Sequence, residues 1–401
     1  MNRMFGRNKP LVDEKKIDEL LERGVAEIIP SKESLKKLLM SGKQLRIKLG
    51  IDPTSPNIHT GRTVPLLKLR EFQELGHTVV FIAGDFTAVI GDTSDKEAER
   101  PMLTKEEIVK NLATYKQQVG KILDLSKTEF RKNSEWLGKL TYQEIGEHAD
   151  VFSVSDFIAR ENIKKRLDGG KRVSLREVLY PLMQGYDSVA IKADVELGGS
   201  DQRFNVLAGR PLQEKYGQEA QHCLLFSLVV DPSGKKMSSS WGNTINILDE
   251  PNDMFGKTMR VPDELIEPYL VSMTRVPLEK VKQIISSHPR DAKMDLAHEL
   301  VRMYHGDKKA GDAREHFINT FSKKEVPDEK HVVEVVRGTT YVEGIQSAGF
   351  VDSKNKAREL IASGAVTSTI TGEKIQDINA TIEKTDQVKV GKRNFVEFKV
   401  K

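Results

Sequence analysis

The chain has 401 residues, which suggests two or three domains; 63 Lys and Arg against 59 Asp and Glu leave a formal charge of +4, too near balance for the total to signal nucleic-acid binding. No uninterrupted apolar run approaches the roughly 18 residues of a membrane helix, and the polar stretch Met1 to Pro10 lacks the apolar core of a signal peptide. A single cysteine, Cys223, excludes an intrachain disulfide framework and a multi-thiolate zinc site, so the expectation is a cytoplasmic globular protein without a thiolate metal site, with no structural metal and no membrane partner.

Residues 13–40 read as helical, with Leu20, Leu21 and Val25 at helical spacing. Leu45 to Ile51 alternates and reads as a strand. Val64 to Gly76 reads as a helix, and Thr78 to Ala83 as a continuous apolar strand of the kind buried on both faces of a parallel sheet. Strand, helix and buried strand in this order form a βαβ unit, which predicts an α/β fold with a Rossmann-like, doubly wound parallel sheet. Ligands of such sheets bind at the carboxyl ends of the strands, where Asp52 and Asp92 fall. Residues 105–220 read as mostly helical, with a turn at Gly169-Gly170, and Leu224 to Val230 as another buried strand. Residues 246–325 show no strand and are punctuated by Pro262, Pro268, Pro277 and Pro289, which suggests a separate helical domain. Phe321 to Lys330 is polar, and a linker is set at 326–338. The last stretch, 339–401, reads as a small α+β domain with a helix capped by Ser353 and stopped by Gly364. The first domain is thus 1–245 and the second 246–325.

Five polar segments stand out. His59-Thr60-Gly61-Arg62 opens a helix, where unpaired N–H groups and the helix dipole stabilise an anion. Gly61 lets a flat group approach the backbone, and His59 and Arg62 add donors. Asp92, Lys96 and Arg100 recur every four residues, a spacing that an ordinary charged surface also produces. Tyr180, Gln184 and Asp187 share one helix face and could line a polar pocket for an amino acid. Gly198-Gly199-Ser200-Asp201-Gln202 combines close backbone approach with hydrogen-bonding side chains suited to a ribose. Lys235-Lys236-Met237-Ser238-Ser239-Ser240 is a polar loop built for phosphate. The chain carries neither a Gly-x4-Gly-Lys-Ser/Thr phosphate loop nor a Gly-x-Gly-x-x-Gly turn after its first strand.

In this combination and order the segments resemble the class I aminoacyl-tRNA synthetases, the tyrosyl enzymes in particular. His59 to Arg62 sits at the family's His-Ile-Gly-His motif, and Lys236 to Ser240 is similar to its Lys-Met-Ser-Lys-Ser motif. The Asp92-Lys96-Arg100, Tyr180-Gln184-Asp187 and Gly198 to Gln202 patterns match the tyrosyl branch. The C-terminal unit resembles a small RNA-binding domain shared with a ribosomal protein, and the helical domain would then read the anticodon.

The resemblance implies a tyrosine–tRNA ligase that uses ATP with Mg²⁺, binds L-tyrosine and its tRNA, and forms a homodimer through the helices between about 115 and 185. Tyrosine's carboxylate would attack the α-phosphate of ATP. The work is then positioning and charge stabilisation rather than base catalysis. The resemblance places Thr54, His59, Arg62, Lys96, Arg100 and Lys236 on the reacting phosphates. It gives ATP contacts to Asp52, Gly61, Gly199, Asp201, Leu228, Val229, Lys235 and Ser238, and tyrosine contacts to Lys48, Asp92, Tyr180, Gln184, Asp187 and Gln202. Asp187 would meet the phenol hydroxyl. RNA contacts would fall on Lys354, Lys356, Arg358, Lys392 and Arg393. Departures from the family pattern are Thr60 for Ile, Arg62 for the second His, Ser239 for the second Lys, and Lys48 where many tyrosyl enzymes have Tyr. A tryptophanyl enzyme and a non-catalytic RNA-binding paralogue remain the alternatives at this point.

Overall fold

A computed structural model describes residues 9–92, 102–231, 237, 244–322, 331–391 and 394–401. The chain divides into two compact units, Met1–Arg314 and Glu315–Lys401.

The first unit is built on a six-stranded sheet of β1 (Val25–Ile29), β2 (Arg46–Ile51), β3 (Thr78–Ala83), β4 (Thr128–Lys132), β5 (Val195–Gly199) and β6 (His222–Phe226). The strand order is β1-β6-β5-β2-β3-β4. Every neighbouring pair is parallel except β1, which runs antiparallel on β6. The expected Thr78 to Ala83 strand keeps its bounds, with Val79, Val80, Phe81, Ile82 and Ala83 all fully buried. Burying each larger side chain of this kind contributes about 1.5–3 kcal/mol. Helix Thr60–Glu74 lays Leu66, Leu69 and Phe72 against the sheet, and helix Leu175–Ile191 carries Tyr180, Leu182 and Asp187 inward.

Two expectations are corrected in this unit, over residues 13–40 and at the end of β6. Residues 13–40 are not one helical stretch: helices Glu14–Glu22 and Lys32–Met40 flank strand β1. Gly24, at φ +67°, turns the chain out of the first helix, and the β-branched residues Val25, Ile28 and Ile29 then pair with β6. Residues 105–220 are mostly helical, as expected, and also hold two strands, β4 and β5. The first is a polar edge strand, Thr-Glu-Phe-Arg-Lys, and the second is a short Val-Glu-Leu-Gly-Gly run, so neither shows apolar periodicity. Strand β6 stops at Phe226, and Ser227 and Leu228 are exposed beyond it. The helical segment after residue 246 groups with the first unit as far as Arg314. The buried Arg23 side chain explains the attachment: it donates to the carbonyls of Leu270, Val271, Thr274 and Val276 at 2.7–3.1 Å. Tyr269 adds a hydrogen bond to the Val230 carbonyl at 2.7 Å, and Tyr304 one to Thr63 Oγ1 at 3.1 Å.

The second unit has strands β7 (His331–Val335), β8 (Thr339–Thr340), β9 (Val366–Ser368), β10 (Thr381–Ile382), β11 (Asp386–Val390) and β12 (Asn394–Val400). β7, β12, β11 and β9 form one sheet in that order, and β8 pairs with β10. The linker expected over 326–338 is therefore shorter, since β7 runs parallel to the last strand from His331. Helix Lys354–Ala362 starts at the expected cap, with Ser353 Oγ accepting from the Lys356 N–H, and Gly364 follows it at φ +69°. Ala357 and Ile361 join the unit's core, which leaves Lys354, Lys356 and Arg358 on the exposed side. Lys392 and Arg393 lie outside the described residues.

Candidate active site

A cleft opens at the carboxyl ends of β2, β3, β5 and β6. Of the expected contacts it gathers Asp52, Thr54, His59, Gly61, Arg62, Asp92, Tyr180, Gln184, Asp187, Gly199, Asp201, Gln202, Leu228 and Val229. Lys96, Arg100, Lys235, Lys236 and Ser238 lie outside the described residues, whereas Met237 is buried and lines the cleft.

One side of the cleft is built at the start of helix Thr60–Glu74, where His59 is the N-cap residue. The neighbouring chain anchors this start: Thr60 N–H donates to the Ile245 carbonyl at 2.8 Å, and Ile247 N–H to the Ile58 carbonyl at 3.1 Å. A Cβ on Gly61 would lie 3.1 Å from His59 Nδ1 and 3.4 Å from Met237 Cβ, so bare backbone keeps this floor flat. Arg62, which replaces the family's second His, donates from Nη2 to Thr54 Oγ1 at 2.9 Å and from Nη1 to the Tyr115 hydroxyl at 3.3 Å. The guanidinium is thereby held over the entrance with donors to spare. On the opposite wall, a Cβ at Gly199 would meet Asp201 Oδ1 at 2.4 Å, so the Asp201 carboxylate would have to move aside.

The inner end of the cleft is a connected polar network. Tyr180 donates to Asp52 Oδ2 at 3.0 Å, and Thr87 to Asp52 Oδ1 at 2.7 Å. Asn133 Nδ2 donates to Thr87 Oγ1 at 2.9 Å and lies 3.4 Å from Asp187 Oδ2. Trp136 Nε1 donates to Asp187 Oδ1 at 2.7 Å. Asp92 accepts from Gln202 Nε2 at 2.7 Å and from Asn205 Nδ2 at 3.4 Å. Removal from water pushes the Asp52 carboxyl up to about 6, against the pull of Thr87 and Tyr180. The same cause pushes Asp187 up to about 7, against the Lys48 charge and the Trp136 and Asn133 donors. Two carboxyls thus titrate near neutrality inside one cleft, a common property of functional sites.

Lys48, expected among the tyrosine contacts, is fully buried behind the cleft and is not among the residues that line it. A buried ammonium needs acceptors, and Lys48 Nζ has three: Glu196 Oε1 at 2.9 Å, the Gln184 carbonyl at 2.7 Å and Ser188 Oγ at 2.8 Å.

Sequence reasoning missed Gly84, Thr87, Asn133, Trp136 and Glu196. Asn133 and Trp136 follow the unrecognised strand β4, so only knowledge of that strand could have placed them at the site. Gly84 and Thr87 directly follow β3 and were open to the rule that ligands bind at strand ends. A Cβ on Gly84 would stand 2.0 Å from Asp52 Oδ1 and 2.4 Å from Thr87 Oγ1.

A family model described as tRNA synthetases class I (W and Y) matches residues 40–322. The tyrosine–tRNA ligase of Thermotoga maritima is 45% identical over 94% of this chain and 96% of its own length. That of Carboxydothermus hydrogenoformans is 46% identical over 97% of this chain and 98% of its own. Among solved structures, a C-terminally truncated mitochondrial tyrosyl-tRNA synthetase of Coccidioides posadasii has a TM-score of 0.63 at 24% identity, covering 77% of this chain and 92% of that one. The tyrosyl-tRNA synthetase of Archaeoglobus fulgidus complexed with L-tyrosine has a TM-score of 0.61 at 23% identity, covering 75% of this chain and 100% of that one. These two structures speak to the fold, whereas the family match and the sequence identities speak to kinship. On the latter, the chain belongs to the class I tRNA synthetases, within their tyrosine–tRNA ligase group.

Proposed function

We propose that this chain activates L-tyrosine with ATP and transfers it to the 3′ end of its tRNA. In the first step a tyrosine carboxylate oxygen attacks the α-phosphorus, the bond to the bridging oxygen breaks, and pyrophosphate leaves with its electrons. The tyrosyl group then passes from the adenylate to a terminal ribose hydroxyl, and AMP is released. The observation that carries the tyrosine reading is Asp187, a carboxyl buried in the cleft and held by Trp136 and Asn133. A phenol hydroxyl can donate to it.

In this reading Asp92, Tyr180, Gln184 and Gln202 face the amino-acid end of the substrate, directly or through one another. Gly61, Gly199, Asp201, Leu228 and Val229 receive the adenosine. Thr54, His59 and Arg62, with Lys96, Arg100, Lys235, Lys236 and Ser238, stabilise charge on the phosphates. Asp52 serves ATP indirectly, by fixing Tyr180 and Thr87 at the junction between the two ligands. Magnesium would arrive bound to ATP, because among the described residues no group of three or more His, Cys, Asp or Glu could hold a metal ion. It would supply charge neutralisation on the phosphate oxygens.

The helices after residue 246 are proposed to read the anticodon. Lys354, Lys356 and Arg358, on the exposed side of one helix, together with Lys392 and Arg393, are proposed to grip tRNA backbone. A homodimer is supported by the large apolar side chains exposed between 142 and 175, among them Tyr142 at 93%, Val154 at 71% and Leu175 at 72%. The cytoplasm is the proposed setting. Among the described residues, no helix is long and apolar enough to cross a membrane. Amino-acid-dependent exchange of labelled pyrophosphate into ATP tests the reading: exchange with tyrosine is expected. Exchange with tryptophan in its place, or with neither, would overturn it.

A further inference from the structure

Behind the cleft wall lies a charged pair that no substrate would touch. Lys48 is 0% and Glu196 is 1% exposed, and their charged atoms are 2.9 Å apart. The carboxylate is fully engaged: Oε1 accepts from Lys48 and from Gln184 Nε2 at 3.0 Å, and Oε2 from Ser188 Oγ at 3.0 Å and Gln221 Nε2 at 2.6 Å. Gln184 is the member of this group that also lines the cleft.

We propose that the Lys48–Glu196 pair is a specificity device that sets the orientation of the Gln184 side-chain amide and so turns its oxygen toward the substrate ammonium. The inference deepens the tyrosine-activation reading and rests on it. A carboxylate paired with a lysine only accepts hydrogen bonds, so Gln184 must present its NH₂ to Glu196. The atom left for the cleft is then Oε1, an acceptor. An acceptor suits an ammonium, whereas the flipped amide would put two donors against it. Lys48 supports the arrangement twice, by neutralising Glu196 and by holding the Gln184 backbone carbonyl at 2.7 Å. A buried ion pair is weak evidence for added stability, since apolar residues often replace one without loss. Its use here is directional: a neutral glutamine at position 196 would accept either orientation of Gln184. Lys48 and Glu196 are positioning residues, because both act through Gln184.

The test compares three ligands on the full chain by calorimetry: tyrosine, tyramine (ammonium kept, carboxylate lost) and desamino-tyrosine (carboxylate kept, ammonium lost). Lys48→Met with Glu196→Gln removes both charges at nearly constant volume. Affinity for tyrosine and for tyramine is expected to fall about tenfold or more, as befits one bond to a charged group, while that for desamino-tyrosine stays within about twofold. Equal losses for all three ligands, or none, would overturn the inference. If that double variant does not fold, Glu196→Asp, which keeps the charge but withdraws it by one methylene, is read in the same way with about a threefold selective loss expected. The unmodified chain separates the two levels of the argument. If it binds neither tyrosine nor tyramine, the functional reading fails and the inference with it; normal binding by the parent with an unselective loss in the variant sinks the inference alone.

Discussion

The indole N–H of Trp136 stands 2.7 Å from Oδ1 of Asp187, at the inner end of the cleft. This bond joins an edge strand's exit to the middle of helix Leu175–Ile191, and it presents the carboxylate in one fixed pose. Asn133, 3.4 Å from the other oxygen, also donates to Thr87, which in turn donates to Asp52. Asp52 and Asp187 are therefore joined by one continuous chain of hydrogen bonds. Such a network orients ligands well because each member has its partners already in place.

A site arranged to accept a hydroxyl donor leaves a buried polar group unpaired when phenylalanine enters, at a cost of about 1–3 kcal/mol. Asp187→Ala removes that cost for phenylalanine and the favourable bond for tyrosine together. The preference for tyrosine over phenylalanine in pyrophosphate exchange should then shrink by at least about tenfold. An unchanged ratio would show that another group reads the ring substituent.

Protonation adds a pH signature. Because Asp187 is raised to about 7, the folded chain holds this proton more tightly than the unfolded chain, whose carboxyl titrates near 4. The stabilising contribution is full below about pH 4 and is lost as the pH rises through about 7. Asp187→Asn should therefore gain stability relative to the parent between about pH 5 and about pH 8, as read by urea unfolding. Tyrosine binding has the opposite slope, since the phenol donates best to the ionised form. Affinity should rise with pH through about 7 in the parent, and in the Asn variant only a limb near 6 from Asp52 should remain. A parent with flat tyrosine affinity over that range would remove Asp187 from the phenol site.

Gly84 tests the Asp52 end of the network. An added methyl group would stand 2.0 Å from Asp52 Oδ1, so Asp52 or Thr87 must move and their 2.7 Å bond breaks. Gly84→Ala should lower kcat/KM for adenylate formation about ten- to a hundredfold, the range for one or two buried hydrogen bonds. The far-UV circular dichroism should stay that of the parent. Unaltered exchange kinetics would mean that the loop relaxes freely and that the Thr87–Asp52 bond is dispensable.

The legible parts of this molecule were those where burial is written as a pattern. Thr78 to Ala83 reads as a two-faced buried strand and is one. Ser353 reads as a cap and accepts the expected N–H. Of the cleft-lining residues, those in His59 to Arg62, Tyr180 to Asp187 and Gly198 to Gln202 stand out as polar segments, whereas Leu228 and Val229 enter by the family resemblance alone. What escaped was written in pairs. β1 is half-exposed and short, and its identity lies in its partner β6. β4 is an edge strand with a single aromatic residue, Phe130. Lys48 stands among the tyrosine contacts only through the family resemblance, whereas its neighbours in space are Glu196, Ser188 and the Gln184 carbonyl. No local pattern announces that a charge will be neutralised by a residue on another strand.

Arg23 shows the same long-range logic in stability. Its guanidinium is buried and donates to the carbonyls of Leu270, Val271, Thr274 and Val276, beside helix Ile266–Met273. These include orphan acceptors of a helix end, which need partners. Arg23→Met keeps much of the apolar stem and takes this donor from the carbonyls of Val271, Thr274 and Val276, while that of Leu270 keeps the Thr274 hydroxyl. We expect a loss of about 2–4 kcal/mol in urea unfolding, with the loss falling on the first unit. A change under about 0.5 kcal/mol would show that water replaces the guanidinium at little cost.

The second unit separates the two half-reactions. Its sheet includes β7, which runs parallel to β12 from His331 to Val335, so a deletion that starts at residue 339 would leave that strand without its partner. Deletion of residues 331–401 removes the whole sheet together with helix Lys354–Ala362 and its exposed Lys354, Lys356 and Arg358. The cleft and the bonds that hold it lie wholly within the first unit. Tyrosine-dependent pyrophosphate exchange should therefore stay within about twofold of the parent. Charging of tRNA should fall steeply, because backbone contacts that position the acceptor are lost while the adenylate still forms. The salt dependence of tRNA binding should flatten as well, each lost phosphate contact lowering the log–log slope by a little under one. Filter binding across a salt series, read beside both half-reactions, decides the role of this unit: charging at the parent's rate with an unaltered salt slope would remove it from tRNA recognition.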